Sequence, residues 1–317
     1  MKEIGGYLEM ERFSGEEYHR DLIGVNNGRS GLLYLLRAKK IKKLYIPYFL
    51  CDSVSKMCDY YGYAYEYYPI DRNFLPIFDL PLAEGQWLYI VNYYGQISNE
   101  QILRWKARYQ CVIFDNVQAF FQRPAEGVDT IYSCRKFFGV PDGGYLATDT
   151  VLDEPLEQDV SKDRMGHILG RFEGCASDYY GDFKSNDRRF VELPLRKMSK
   201  LTRNLLRAID YDAVRQKRNE NYNQLEQALG SANLLKLVKP DGPYCYPFYH
   251  EKGIQLKRQL AAKGIYVATL WPNVLELEDA LARDYATNIL PLPCDQRYGA
   301  SDMQRMVKEI FNICEDW

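Results

Sequence analysis

The chain has 317 residues, of which 46% are hydrophobic and 26% are charged, and its 41 basic and 43 acidic side chains leave a net charge of −2. This length allows a large core and two domains, and the near-neutral balance provides no attraction to nucleic acid or to an anionic membrane surface. The apolar runs have the length of strands, so we expect no membrane span and no signal segment.

The cysteine and histidine content argues against a disulfide framework and against a metal centre. The eight cysteines form no CxxC pair, and several lie in apolar segments such as residues 111–114. Reduced, buried thiols in a cytoplasmic protein fit this pattern better than disulfides or zinc ligands. Three histidines are too few and too widely separated for a metal cluster; they are His19, His167 and His250.

The first two hundred residues, apart from residues 151–192, alternate between strand-like and helix-like segments. Short apolar runs predict strands, and the amphipathic segments between them predict helices. Ser98 is a predicted N-cap, because Gln101 follows three residues later as in a capping box. In chain order we predict a helix over 30–40, strands over 44–47 and 64–68 with a helix over 52–60 between them, a strand over 87–92, a helix over 99–108, and strands over 111–115, 130–132 and 143–148.

The rest of the chain has a different character. Residues 151–192 are polar and interrupted by glycines, which indicates a long excursion that covers a site or contacts a second subunit. Residues 195–229 are strongly helical, with a bend expected near Asp210–Tyr211. The final hundred residues return to alternation, with a strand predicted over 244–248 and helices over 255–263 and 301–313.

Alternation of strands and helices predicts an α/β fold. Crossover connections produce a mostly parallel sheet with helices on its two faces, which is a three-layer arrangement. We expect a large domain over residues 1–200, which includes the excursion over 151–192, and a smaller α+β domain over residues 201–317. In parallel sheets ligands bind at the carboxyl ends of the strands, so the residues that end the strands are the candidates for a functional site.

Two such strand ends carry Asp115 and Lys136. Pyridoxal 5′-phosphate (PLP) requires this combination, because its aldehyde forms a Schiff base with an amine and its ring nitrogen needs an acidic partner to stay protonated. Each residue also has a plain structural interpretation, in which Asp115 is a turn or cap residue and Lys136 is an exposed lysine after a strand.

A phosphate site is predicted where residues 26–31, Asn-Asn-Gly-Arg-Ser-Gly, precede a helix. Glycine allows the backbone to approach a phosphate, and the start of a helix offers free N–H groups and a favourable dipole. The alternative is an ordinary helix start, since such residues are common there.

The ordered motifs together resemble the DegT/DnrJ/EryC1 family of PLP-dependent sugar aminotransferases, which have the aspartate aminotransferase fold (fold type I). The resemblance extends over nearly the whole chain, and the short chain and altered spacings are typical of a divergent member. It is carried by residues 27–30, 46–49, 94–96, 115–118, 133–136 and 143–144, by Arg218, Asn221, Tyr222 and Leu225, and by residues 290–293.

The resemblance implies a role for each matching residue. Lys136 forms the Schiff base, Asp115 binds the pyridine nitrogen, and Gln118 lies beside the cofactor ring. Ser133 binds the phosphate together with Gly28, Arg29 and Ser30. Cys51 stands where family members stack a side chain on the ring, with Tyr48 and Phe49 as alternatives. The Ser133–Lys136 spacing is shorter than in the family, and Asp142 replaces a glutamate in the following turn.

The same resemblance implies an aminotransferase that moves an amino group from a small-molecule donor to a keto sugar, nucleotide-linked, in cell-surface polysaccharide or amino-sugar biosynthesis. Relatives that remove a hydroxyl group carry histidine at the position of Lys136, so lysine favours amino transfer. The alternative is a catalytically divergent or inactive member that binds a sugar nucleotide or a partner, since fold does not dictate function.

Enzymes of this fold commonly build shared active sites across a homodimer, which the resemblance implies here as well. Residues of the 151–192 excursion are then expected to reach the neighbouring cofactor. The candidates for contact with substrate are Tyr94, His167 and Arg188, and the alternative for the latter two is a solvated loop position.

Overall fold

The computed structural model describes residues 4–315, apart from the side chains of residues 191 and 192. Seven strands form one sheet, and two more form a separate antiparallel pair. The strands are β1 (Ile23–Val25), β2 (Lys43–Pro47), β3 (Ala64–Tyr68), β4 (Gln86–Val91), β5 (Val112–Asp115), β6 (Asp129–Ser133), β7 (Gly144–Ala147), β8 (Tyr246–Tyr249) and β9 (Ile289–Leu292).

Ten α-helices connect and cover these strands within the described residues. They are α1 (Gly28–Ala38), α2 (Asp52–Tyr61), α3 (Asn99–Tyr109), α4 (Gly166–Glu173), α5 (Tyr180–Glu192), α6 (Lys200–Leu206), α7 (Tyr211–Leu229), α8 (Gly253–Ala262), α9 (Ala280–Asn288) and α10 (Ala300–Glu315). Ser98 caps α3 through the predicted capping box with Gln101, so the local sequence signal sets this helix start.

The large sheet has the strand order β1-β7-β6-β5-β4-β2-β3. Strands β6, β5, β4, β2 and β3 run parallel to one another, and β7 runs antiparallel to its two neighbours. All four residues of β5 are buried, as expected for a parallel strand with both faces covered. Because β5 and β6 are parallel neighbours, Asp115 and Ser133 end their strands at the same edge of the sheet.

Several sequence predictions differ from the structure. The excursion over 151–192 contains helices α4 and α5, and the predicted bent helix over 195–229 is two helices, α6 and α7. The chain breaks there because Asp210 caps α7, its carboxylate accepting a hydrogen bond from the Ala213 N–H at 3.0 Å. Strand β9 was not predicted, because Pro291 and Pro293 interrupt its apolar run and proline weakens the strand signal. Pro291 lies opposite Pro247 of β8.

The C-terminal part contributes to two hydrophobic cores. One core consists wholly of residues between Tyr222 and Cys314, on helices α7, α8 and α10 and strands β8 and β9. Other C-terminal residues, such as Trp271 and Tyr285, pack into the core of the large sheet. A domain boundary near residue 200 therefore stays a prediction.

The eight cysteines are free, and Cys58, Cys134, Cys245 and Cys294 are buried. Burial of the thiols was expected, but Cys175 is exposed between α4 and α5. Across residues 4–315, no helix combines the length and apolarity that crossing a membrane requires. The same residues contain no group of three or more histidine, cysteine or acidic side chains placed to hold a metal ion.

Candidate active site

The carboxylate of Asp115 is the buried centre of the candidate site. Tyr89 on the neighbouring strand β4 donates a hydrogen bond from its hydroxyl to Oδ2 at 2.5 Å, and the Val117 N–H donates to Oδ1 at 2.9 Å. Burial raises the pKa of Asp115, and the positive charge of Lys136 is the largest of the effects that oppose this rise. The carboxylate and the lysine are therefore close enough to interact electrostatically.

Lys136 lies in a 3₁₀ turn over Cys134–Lys136, directly after β6. Its Nζ is 5.7 Å from the ring centroid of Tyr244, within the range of a cation–π contact. Among residues 4–315, no hydrogen bond or ion pair engages the Lys136 ammonium group. A half-buried amine without such a partner is available to react with a ligand.

Gln118, which follows Asp115 closely in the chain, is joined to Tyr94 by a hydrogen bond. The Gln118 Oε1 accepts a hydrogen bond from the Tyr94 N–H at 2.8 Å. The Gln118 Nε2 and the Tyr94 hydroxyl are buried without a hydrogen-bond partner in the described part of the chain. Tyr94 has a φ of 55°, a left-handed conformation that costs free energy in a residue other than glycine. An unsatisfied buried amide costs about 1–3 kcal/mol and is an expected feature where a ligand supplies the missing partner.

The start of α1 lies against the end of β6. A Cβ atom added to Gly28 would lie 3.3 Å from Val117 Cγ1 and 3.9 Å from Ser133 Cβ. Asn27 caps α1, and its Oδ1 accepts a hydrogen bond from the Ser30 N–H at 2.9 Å. That N–H is thus occupied, which leaves the N–H groups of Gly28 and Arg29 as the free donors of the first turn.

Helix α5 covers one side of this helix start. Phe190 and Leu193 line a small cavity together with Asn27, Arg29 and Ser30, and its volume is about 10 Å³. This is room for about one water molecule, so the face of α1 under α5 has no space for a phosphate group. Burial lowers the pKa of Arg29, and Asp187 of α5 is the largest of the charges that oppose this.

Arg135 precedes Lys136 and also contacts α5. Its two terminal nitrogens lie 3.4 Å from Asp187 Oδ1, and its guanidinium lies 4.2 Å from the ring centroid of Phe190. Burial lowers the pKa of Arg135, an effect that Asp187 partly offsets. Arg29 and Arg135 therefore bring two positive charges to the edge of the site.

The turn after Lys136 is fixed by Asp142, which is fully buried. The Asp142 carboxylate accepts hydrogen bonds from the Ser199 N–H at 2.9 Å, from the Ser199 hydroxyl at 2.7 Å and from the Thr202 hydroxyl. Gly143 has a φ of 111°, where other residues are strained, and its N–H donates to the Asn26 carbonyl at 2.7 Å. Asp142 thus joins the Lys136 segment to α6.

The three candidates for stacking on a cofactor ring make different contacts in the structure. Cys51 is half-buried at the start of α2, and its thiol lies 3.6 Å from Asp52 Oδ1. Tyr48 stacks on Tyr67 with ring centroids 5.1 Å apart. Phe49 is fully buried and packs edge-on against Trp271 at 4.7 Å, so it belongs to the core.

Of the residues predicted to contact substrate, Tyr94 lies at the site and His167 lies near it. Arg135 helps to lower the pKa of His167, after the larger effect of burial. Arg188 is exposed on α5, and no hydrogen bond or ion pair joins it to another described residue. The structure therefore does not bring Arg188 to the Asp115–Lys136 centre.

The sequence did not predict the supporting role of Tyr89. It also did not predict the partners of Arg218 and Asp142, which both hold the Lys136 segment. Tyr89 is one of 27 tyrosines in the chain, and nothing in its local sequence distinguishes it. Arg218 was noted only as part of a family pattern, and Asp142 only as part of a turn. No local signal could have shown the partners of either residue, because all of them are distant along the chain.

Comparison with known proteins places this geometry in a familiar architecture. Neither a family model nor a curated protein matches the sequence, but solved structures match over most of its length. A DegT DnrJ EryC1 StrS aminotransferase from Brucella abortus is 15% identical with a TM-score of 0.62, over 92% of this chain and 85% of that one. The chain has the fold of the DegT/DnrJ/EryC1/StrS aminotransferases.

Two further structures of this fold agree with that assignment. DesV from S. venezuelae, solved in complex with a ketimine intermediate, is 18% identical with a TM-score of 0.64, over 92% of this chain and 84% of that one. A putative sugar aminotransferase from Streptococcus pneumoniae in its PLP form is 12% identical with a TM-score of 0.64, over 93% and 87% of the two chains. The fold class predicted from the sequence is confirmed, and the resemblance drawn from the ordered motifs is confirmed at the level of the fold.

Proposed function

We propose that this chain is a PLP-dependent aminotransferase that transfers an amino group from a small-molecule donor to a keto sugar in nucleotide-linked form. The pathway would be cell-surface polysaccharide or amino-sugar biosynthesis. The observation that carries the proposal is the buried Asp115 carboxylate, which Tyr89 and the Val117 N–H hold by hydrogen bonds and whose pKa the positive charge of Lys136 lowers against the effect of burial. Structures that share the fold include a putative sugar aminotransferase from Streptococcus pneumoniae in its PLP form and in its PMP (pyridoxamine phosphate) form, which supports the choice of cofactor.

The described residues fit PLP in three respects. The Gln118 Nε2 is a buried donor without a partner, as expected beside a ligand with acceptor atoms. The close approach of Gly28 to Ser133 leaves a position where a Cβ atom would crowd Val117, as expected where a backbone faces a phosphate. The Asp115 carboxylate receives two hydrogen bonds, which favour its charged form opposite a protonated ring nitrogen.

When bound, PLP supplies an electron sink for the bond broken at the substrate carbon. Lys136 would hold the cofactor through Nζ and, once released from it, move a proton between substrate and cofactor carbons. Asp115 would keep the proton on the ring nitrogen, and Tyr89 would hold Asp115 in place. Ser133, Gly28, Arg29 and Ser30 would bind the phosphate, with Cys51 and Gln118 beside the ring and Tyr94 and His167 toward the substrate.

The assembly and organisation proposed with this function follow the same reasoning. We propose a cytoplasmic homodimer with shared active sites, a large PLP-binding domain over 1–200 and a smaller domain over 201–317. The separate core formed between Tyr222 and Cys314 supports the second domain. Helix α5, whose Asp187 contacts Arg135 and opposes the lowered pKa of Arg29, supports a role for residues 151–192 at the site.

One observation favours a second candidate, a family member that binds a sugar nucleotide or a partner without turnover. Helix α5 packs on the start of α1 and leaves about 10 Å³ there. If α5 holds this position in solution, the phosphate must bind by the Gly28–Ser133 side alone. A protein that no longer binds the cofactor would tolerate such packing.

Titration of the purified chain with PLP separates the two candidates. The aminotransferase predicts a new absorption band near the edge of the visible range that is absent in Lys136→Ala and retained in Lys308→Ala, which removes an exposed lysine. Addition of amino donors should then abolish the band, and a keto sugar nucleotide should restore it. Absence of the band in the unmodified chain would overturn the proposal and favour the second candidate, and a band that no amino donor changes would contradict amino transfer.

A further inference from the structure

Helix α5 is attached to the rest of the chain through few side chains. Between residues 180 and 190, the buried positions are Asn186 and Phe190, which are 4% and 2% exposed, and the other residues are exposed. These two residues are four positions apart and therefore share one face of the helix. No described side chain caps the start of α5, and an isolated helix of this length is marginal in water. The position of α5 thus depends on what Asn186 and Phe190 contact.

Phe190 occupies space at the start of α1. Its ring borders the cavity of about 10 Å³ that Asn27, Arg29 and Ser30 also line, and the Arg135 guanidinium lies 4.2 Å from the ring centroid. A phosphate group needs the room of several water molecules, whereas this cavity has room for about one. While Phe190 holds this position, no phosphate can bind on this side of α1.

Asn186 gains nothing from its buried position. Its Nδ2 and its Oδ1 are both buried without a hydrogen-bond partner within residues 4–315. A buried amide without partners loses the hydrogen bonds that water provides, which costs free energy. Because Asn186 faces the same side as Phe190, a movement of α5 away from α1 would return this amide to water. The polar part of the contact therefore favours a displaced helix.

Asp187 is the shared counter-charge of two arginines. Its Oδ1 lies 3.4 Å from both terminal nitrogens of Arg135, which is long compared with about 2.7–2.9 Å for a charge-assisted hydrogen bond. Asp187 is also the largest of the charges that oppose the lowered pKa of Arg29. In the described part of the chain no hydrogen bond or ion pair engages the Arg29 side chain. Two guanidinium groups thus share one loosely held carboxylate, which is 57% exposed.

We propose that α5 is a displaceable cover in which Asp187 occupies the place of a phosphate group. A phosphate replaces the carboxylate because guanidinium groups bind phosphate oxygens in pairs. Repulsion between the bound anion and Asp187 then moves α5, and Phe190 with it, away from the start of α1. The cover turns about residues 193–194, since the Asn26 Nδ2 donates to the Pro194 carbonyl at 3.0 Å and holds that end in place.

This inference rests on the proposed phosphate site at the start of α1 and goes beyond it by assigning a function to α5. The cover responds to the phosphate of PLP and to inorganic phosphate alike, because both present the same oxygen atoms. Pyridoxal, which lacks the phosphate, should leave α5 in place. The small cavity under α5 then reflects a closed cover and not a lost cofactor site.

Maleimide labelling of Asn186→Cys, located by peptide mapping, tests the displacement. The substitution removes no hydrogen bond with a described residue. Labelling at position 186 should be slow in sodium chloride or with pyridoxal. It should be at least about tenfold faster in inorganic phosphate or with PLP at the same ionic strength, because its rate follows the population of the open state. Arg188→Cys is the matched control on the same helix, since this position is exposed and should label rapidly in every solution.

Asp187→Asn tests the competition between carboxylate and phosphate. Without the competing charge the open state is more populated, so inorganic phosphate and PLP should bind about three- to tenfold more tightly. Asp182→Asn removes the same charge from an exposed position of α5 and should leave both affinities unchanged. Weaker binding by Asp187→Asn, or an equal gain in both variants, would overturn the proposed competition.

Hydrogen exchange of the unmodified chain checks the same movement without a substitution. Amides of residues 182–190 should exchange faster in phosphate than in sodium chloride, because a displaced α5 loses its packing, and those of α3 should not change. If neither labelling nor exchange responds to phosphate or PLP, the cover is wrong. A PLP absorption band that depends on Lys136 but leaves position 186 protected would overturn the cover alone. Faster labelling in phosphate without such a band would support the cover and contradict the aminotransferase.

Discussion

Arg218 donates a hydrogen bond from Nη2 to the carbonyl oxygen of Phe137 at 3.1 Å, and Phe137 is the residue directly after Lys136. The same guanidinium donates to the Pro243 carbonyl and to the Gln296 Oε1, each at 2.8 Å. Arg218 is 1% exposed and serves as a positioning residue that ties the Lys136 segment to the C-terminal part of the chain.

Replacement of Arg218 should therefore be costly. Arg218→Met leaves several buried carbonyl groups without a donor, and we expect a loss of about 2–5 kcal/mol in the free energy of unfolding. The free energy of unfolding of Arg218→Lys should lie between those of the unmodified chain and Arg218→Met. The matched control is Arg215→Met on the same helix, which removes an exposed pair with Asp212 and should cost less than about 1 kcal/mol. Urea unfolding measures these differences, and equal losses for both methionine variants would contradict the assigned role.

Tyr89→Phe tests the support of Asp115. The substitution removes the hydroxyl that donates to Asp115 Oδ2 and keeps the buried ring. Because that hydrogen bond favours the charged carboxylate, its loss should raise the pKa of Asp115 further. We expect PLP affinity to fall about tenfold or more, at about 1.5–3 kcal/mol for a hydrogen bond to a charged group. Spectroscopic titration checks this, with Tyr60→Phe, at an exposed tyrosine, as the control that should change nothing.

Gly28→Ala tests the phosphate side of the site. The added methyl group would meet Val117 Cγ1 at 3.3 Å and approach Ser133, so the backbone there could no longer come as close to a phosphate. Affinity for PLP should fall by an order of magnitude. The thermal midpoint of unfolding in the absence of PLP should change little. Gly299→Ala is the matched control, because an added Cβ there meets nothing within 4 Å. Unchanged affinity in Gly28→Ala would place the phosphate elsewhere.

His19 should make the stability of the chain depend on pH. Burial lowers the pKa of His19 from 6.5 to about 4, while its Nε2 lies 2.7 Å from the Phe120 carbonyl oxygen. Between pH 4 and 6.5 the unfolded chain binds the proton and the folded chain does not. The free energy of unfolding is therefore unaffected by His19 above about pH 6.5 and decreases as the pH drops toward 4.

The expected loss over that window is about 3.5 kcal/mol at most, from about 1.4 kcal/mol for each unit of pKa between 6.5 and 4. In His19→Gln, which keeps a donor for the Phe120 carbonyl, the dependence on pH between 6.5 and 4 should be smaller by this amount. Chemical unfolding at several pH values measures it. Identical slopes for the two chains would show that His19 titrates normally in the folded protein.

Much of the fold could be predicted from sequence because its signals are local. The capping box of Ser98 and Gln101 and the apolar runs of β2 to β7 each depend on a few adjacent residues. The proximity of Asp115 and Lys136 could also be predicted, because the carboxyl ends of neighbouring parallel strands lie at one edge of the sheet. Strand β1 was missed because it is three residues long, and β9 because Pro291 and Pro293 interrupt its apolar run.

The supporting contacts could not be predicted, because they join residues far apart in sequence. Tyr89 and Asp115 are 26 positions apart, Asp142 and Ser199 are 57 apart, and Phe137 and Arg218 are 81 apart. Each contact depends on how α6, α7 and the sheet pack, which no short motif encodes. The position of α5 over α1 has the same origin, and it decides which part of the predicted phosphate site is accessible.

Borohydride reduction of the PLP-treated chain, followed by peptide mapping, tests the central claim most directly. The account predicts one labelled peptide, with the pyridoxyl group on Lys136, and no label in Lys136→Ala. It also predicts weaker labelling in Asp115→Asn, which removes the carboxylate charge that interacts electrostatically with Lys136. A chain that takes up no label, or that carries it on exposed lysines with equal yield in Lys136→Ala, would contradict the assignment of Lys136 and Asp115 as the centre of a PLP site.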